Sequence, residues 1–137
     1  MRNQIDHDTR IILLKLIGKY DLYKKELSDE RTRILSLPPQ NYNNLDMPKG
    51  TDTSDATTRA FMQLERLGHS YKAKVIKAID QAKAFTLPEE LETPVFKSCL
   101  NGRRYTYEYF EGLSCGRTRF YQYKNEFLND LRYRLGL

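Results

Sequence analysis

Between Ser114 and Asn125 the chain reads SCGRTRFYQYKN, with three basic residues, Arg117, Arg119 and Lys124, and no acidic one. These residue types suit the edges of base pairs. Arginine can grip guanine through two parallel hydrogen bonds, glutamine and asparagine can do the same with adenine, and threonine or tyrosine can reach a phosphate or a thymine methyl. On a helix starting at Arg117, the residues Arg117, Thr118, Tyr121, Gln122 and Asn125 share one face, with Arg119 and Lys124 at its flanks. The N-terminal end of such a helix favours phosphate through its amides and dipole, and is the end that enters a major groove. Arg103 and Arg104 ahead of the helix are candidate clamps on the DNA backbone. Arg132 and Arg134 near its end are either further clamps or solvated charges.

Other chemistry finds little support. The sequence has no glycine-rich phosphate loop and no Ser or Cys nucleophile near a His in a recognisable motif, so no catalytic residue is expected. Cys99 and Cys115 stand far apart, and His7 and His69 are distant from both, so no zinc-ligand spacing exists and no metal or cofactor is expected. The two cysteines read as buried free thiols. Glu89 and Glu90 lie in a proline-flanked stretch and read as solvated. Tyr105, Tyr107, Tyr109, Tyr121, Tyr123 and Tyr133 interleave with Arg and Lys, a mixture that also stacks single-stranded bases. Helical spacing assigns Tyr109 and Tyr123 to a core, which favours the duplex.

The elements that must hold this face are helical. From Arg117 the apolar residues Phe120, Tyr123, Phe127, Leu131 and Leu135 recur at helical spacing and account for the packed side. A short helix over Thr106–Leu113, presenting Tyr109, Phe110 and Leu113, is expected to precede it. Ser114, Cys115 and Gly116 would form the turn of a helix-turn-helix. Further upstream, Asp8–Leu35 predicts one helix capped by Asp8 or Thr9, with a seam of Leu13, Leu16, Tyr20, Tyr23, Leu27 and Ile34 interrupted at Glu30. Pro38 and Pro39 end it, and Leu37–Ser54 reads as a loop. A second helix is predicted over Asp55–Phe85, capped by Thr53 or Ser54. Its seam is Phe61, Leu64, Gly68, Tyr71, Val75, Ala78, Ala82 and Phe85, and a kink or break is expected at Leu67–Ser70. The stretch TLPEELETP reads as a joint, and Pro94–Leu100 as a short helix ended by Asn101 and Gly102.

The expected fold class is therefore all-α, a long helical hairpin or arm followed by a C-terminal helix-turn-helix. Residues 1–87 would form the arm and 88–137 the DNA-binding region. The two seams fit either each other, as an antiparallel hairpin, or a second copy of the chain, as a homodimer. Across 137 residues the net charge is +5, which leans towards a polyanionic partner. Hydrophobic residues at 39% and charged ones at 30% suffice for a helical core with solvated faces. The N-terminus lacks the pattern of a secretory signal and the longest apolar run is Ile11–Leu14, so a cytoplasmic, soluble protein with no membrane partner is expected.

The tail LSCGRTRFYQYKNEFLNDLRYRLGL resembles the closing pattern of the ArpU-type regulators of Gram-positive bacteria and their phages: a turn, a polar residue, an aromatic pair, a basic residue and a final Leu-Gly. It is also similar to the fourth region of sigma factors. The resemblance covers roughly the C-terminal third, and it implies a phage or prophage late-gene regulator that binds promoter DNA and touches RNA polymerase. Two alternatives remain at this level: a DNA-packaging component like a small terminase subunit, and a helical protein-interaction module that binds no DNA.

Overall fold

A computed structural model of the chain describes residues 5–36 and 49–137, the side chains of 49–56 excepted. The described residues are all-helical, with no strand. In chain order the helices are α1 (His7–Gly18), α2 (Tyr20–Leu35), α3 (Lys49–Gly68), α4 (Tyr71–Thr86), α5 (Glu89–Leu100) and α6 (Arg117–Leu135).

Both long predicted helices are divided. The first starts at His7, one residue earlier than expected, because Asp6 rather than Asp8 or Thr9 is the cap, accepting from the Thr9 amide at 3.2 Å and the Thr9 hydroxyl at 2.7 Å. It stops at Gly18, and the Lys19 amide donates back to the Ile17 and Leu16 carbonyls, so Asp8–Leu35 is two helices. The second breaks where Gly68 predicts it, at His69 and Ser70, and Ser70 Oγ accepts from the Ala73 amide to cap α4. Residues 37–48 of the predicted loop, Pro38 and Pro39 among them, lie outside the described residues. Residues 49–54 are helical, so α3 begins at Lys49 and neither Thr53 nor Ser54 caps it.

Two further expectations are corrected. The joint shrinks to Leu87 and Pro88, because α5 already begins at Glu89, with Glu89, Glu90 and Glu92 at the end of the helix where the dipole favours negative charge. Pro94 is accommodated inside this helix, where Leu91, Val95, Ser98 and Cys99 are buried around it. The helix expected over Thr106–Leu113 does not form. One 3-10 turn, Tyr107–Tyr109, stands in irregular chain between α5 and α6, and Gly112 takes a left-handed φ of 74°. The helix-turn-helix drawn from the sequence therefore lacks its first helix.

The chain divides into two compact units, Met1–Asp21 with Val75–Leu137, and Leu22–Lys74. These divisions fall inside α2 and α4. In the first unit α1, α5 and α6 pack against one another in every pairing. Its core contains Leu13, Ile17, Ile79, Val95, Phe120, Phe127, Leu128 and Leu131, all fully buried. Tyr20 belongs to the same unit: its hydroxyl donates to Asp80 at 2.5 Å and its ring meets Phe96 edge-on at 5.3 Å. Burial, then the Asp80 carboxylate, pushes this phenol above the ordinary tyrosine range. In the second unit Ile34 is buried, Tyr23 and Tyr71 meet edge-on, and Lys72 pairs with Glu26 at 2.7 Å. Glu30, which interrupts the first seam, pairs with Arg33. The second seam is only partly interior: Val75, Ala78 and Ala82 are buried, while Phe61, Tyr71 and Phe85 stand exposed.

Candidate nucleic-acid interface

Helix α6 begins at Arg117, as its pattern predicts, and ends at Leu135, capped by Gly136, whose φ of 76° lets its own amide and that of Leu137 close onto the Tyr133 and Arg132 carbonyls. Its N-cap, Gly116, carries no side chain to satisfy the first-turn amides, which leaves that end open to an anion. Phe120 is fully buried and anchors the opening turns, with ring centroids of Tyr121, Tyr107 and Phe110 at 5.1, 5.7 and 6.1 Å. Phe127, Leu128 and Leu131 continue the buried side.

Five of the sequence-predicted residues come together on the solvent side of α6: Arg117, Thr118, Arg119, Gln122 and Asn125 are all exposed. Arg117 donates through Nε to Glu108 at 2.8 Å and lies 5.3 Å above the Tyr121 ring. Arg119 lies 4.5 Å over the Tyr123 ring and donates to Gln122 Oε1 at 3.2 Å. Asn125 Oδ1 accepts from Arg10 of α1 at 3.3 Å.

The other predicted residues are placed differently. The Tyr121 hydroxyl accepts from the Tyr107 amide at 3.0 Å, while the Tyr107 hydroxyl donates to the Cys115 carbonyl at 2.9 Å. Tyr121 thus fastens the α5–α6 connection to the helix. Lys124 donates to Ser98 Oγ at 3.1 Å and to the Ser98 carbonyl at 3.4 Å, serving the last turn of α5 instead of facing solvent. Burial holds its ammonium below the ordinary lysine range; Cys99 opposes the shift, and nearby Arg10 adds to it. Arg103 and Arg104 are exposed on the connection, where Asn101 Oδ1 accepts from both backbone amides at 3.2 Å, and Arg104 lies 5.4 Å over the Tyr105 ring.

Near the helix end the arginines are occupied. Arg134 pairs with Asp130 at 2.5 Å, and Arg132 donates to Asn129 at 3.0 Å and to the Leu137 carbonyl at 3.2 Å. Glu90 accepts from Ser114 at 2.7 Å. Both cysteines are free, and burial pushes the Cys99 thiol up to about 12. Among the described residues no cluster of His, Cys, Asp and Glu could hold a metal ion, and no helix is long and apolar enough to cross a membrane.

The sequence missed two participants. Arg10 reaches Asn125 across nearly the whole length of the chain, and Glu108 reaches Arg117 from a segment expected to be helical. Neither left a local signal. From Lys97 to Asn125 six basic residues face two acidic ones, Glu108 and Glu111, so the region around the N-terminal half of α6 is cationic. Set against family models, curated proteins and solved structures, the chain matches none.

Proposed function

We propose that the chain binds duplex DNA through the exposed side of the first turns of α6, as a sequence-specific transcriptional regulator of the ArpU-type kind. One observation carries the reading: Arg117, Thr118, Arg119, Gln122 and Asn125 gather on the solvent side of a helix whose other side buries Phe120, Phe127, Leu128 and Leu131 and whose N-terminus has no side-chain cap. A helix so seated can bring base-reading donors and free first-turn amides to a major groove together. Arg103 and Arg104 are then backbone contacts, and Tyr121 and Lys124 hold the helix in place rather than touch DNA. A homodimer would set its two reading helices about 34 Å apart on a near-palindromic site.

The test is a gel-shift titration of the full chain against promoter fragments from its own genome. The Arg117→Ala, Gln122→Ala double variant should lose about tenfold or more in affinity, the loss of one good base contact. Binding should strengthen as salt falls. Unchanged affinity in the double variant removes this face from the interaction, and no binding even at low salt removes the function.

A further inference from the structure

A groove of about 480 Å³ runs between α1 and the end of α5, inside the first unit. Ile11, Leu14 and Lys15 form one wall, and Leu100 and Arg103 stand on the other. Ile11, Leu14 and Lys15 are three and four residues apart on α1, so they make one stripe along that helix. The core uses a different side of α1, through the fully buried Leu13 and Ile17. Ile11 is 38% exposed and Leu100 44% exposed, so the groove keeps aliphatic surface in water on both walls.

The charges along this groove have one sign. Lys15 and Arg103 are its only charged lining residues, both are exposed, and neither has an ion-pair partner among the described residues. The groove of the second unit that runs past Leu27, Leu67 and Tyr71 differs in this respect: there Glu26 is paired with Lys72 and Glu30 with Arg33. Apolar walls between two unpaired cations complement a partner whose apolar groups are flanked by carboxylates. The groove is shallow and open to solvent, whereas small-molecule sites bury most of their ligand. An amphipathic helix needs no such enclosure, because it lays only one face into a groove.

We propose that this groove docks an acidic amphipathic helix of a partner protein, with the partner's apolar side chains against Ile11, Leu14 and Leu100 and its carboxylates on Lys15 and Arg103. None of Arg117, Thr118, Arg119, Gln122 and Asn125 lines the groove, so docking here is independent of the DNA-binding reading. Arg103, assigned above to the DNA backbone, is common to both surfaces. Docking is therefore measured without DNA.

The experiment is selection of peptides from a displayed random library by the full chain, followed by fluorescence anisotropy with an enriched peptide. Enriched sequences should carry large aliphatic residues at spacings of three and four, flanked by Asp and Glu. The Lys15→Glu, Arg103→Glu double variant should weaken binding about tenfold or more and flatten its salt dependence. Ile11→Glu and Leu100→Glu, both at exposed positions, should each cost about tenfold with the urea midpoint close to that of the parent chain. Enriched peptides rich in Lys and Arg, or without charge preference, overturn the acidic partner. Binding that survives all of these substitutions overturns the site, and a library without enrichment overturns docking altogether. A dimer of the parent chain that Ile11→Glu dissociates in sedimentation, with no peptide bound, overturns the proposal and gives the groove to a second copy.

Discussion

Replacing Phe120 by alanine removes a fully buried ring at the point where the α5–α6 connection meets the helix. Truncating a buried phenylalanine costs about 3–5 kcal/mol through lost transfer energy and the cavity left behind. Phe127 is equally buried on the same helix but has no ring partner among the described residues, whereas Phe120 meets Tyr107, Phe110 and Tyr121. Aromatic pairs add roughly 0.5–1.5 kcal/mol each beyond area, so Phe120→Ala should cost about 1–2 kcal/mol more than Phe127→Ala once the remaining rings relax. With a urea dependence of about 2 kcal/mol per molar, a loss near 4 kcal/mol lowers the unfolding midpoint by about 2 M. Native-state hydrogen exchange adds the local readout, because the Tyr107 amide donates to Tyr121 and should lose protection first in Phe120→Ala. If Phe127→Ala proves as costly, or the Tyr107 amide stays protected, the ring cluster does not hold the connection in place.

Two further outcomes follow from groups around the same face. Glu108→Gln frees Arg117 and removes a negative charge beside the proposed phosphate path, so DNA affinity should rise about threefold in gel-shift titration with the urea midpoint unchanged, because an exposed ion pair contributes little to stability. Weaker binding would mean that Glu108 aims Arg117 at the base instead of competing for it. Burial pushes the Cys99 thiol from 9.0 up to about 12, so a thiol reagent at pH 8 should label Cys115 in the native protein and Cys99 only after unfolding. A raised folded pKa means that the folded state keeps a proton the unfolded chain has released. Its contribution is complete below pH 9.0 and is lost as pH climbs towards about 12. Urea midpoints across that interval should fall less steeply for Cys99→Ala than for the parent chain, and identical slopes would contradict the assignment.

The start of α6 and its buried side were legible because Phe120, Phe127 and Leu131 recur at helical spacing directly after Ser114–Gly116. Leu128, equally buried, lies off that row and was missed. The break at His69 was legible from Gly68, whereas Gly18 was passed over as an interior helical residue. The segment 106–113 deceived for a physical reason: Tyr109, Phe110 and Leu113 fit one helical face, but aromatic side chains are weak helix formers. Here they close on one another, Tyr105 meeting Tyr109 and Phe110, while Tyr107 is drawn inward by two hydrogen bonds. At the candidate site the composition of the face was readable, but its tertiary partners were not. Arg10 is one of them, and only tertiary packing brings it to Asn125.

The first unit is assembled from two separate pieces of chain, Met1–Asp21 and Val75–Leu137, with all of Leu22–Lys74 between them. Before α1 can find α5 and α6, a segment of that length must be closed into a loop, at an entropic cost of about 3.5 kcal/mol if it is unstructured. Non-local closure of this kind slows folding, and any order that forms early within Leu22–Lys74 shortens the effective loop. Substitutions in α1 such as Leu13→Ala should then act mainly by accelerating unfolding, as contacts made late in folding do. The pairing of Arg10 with Asn125 would be among the last contacts to form, so the brace it places on the exposed side of α6 arrives only with the completed fold.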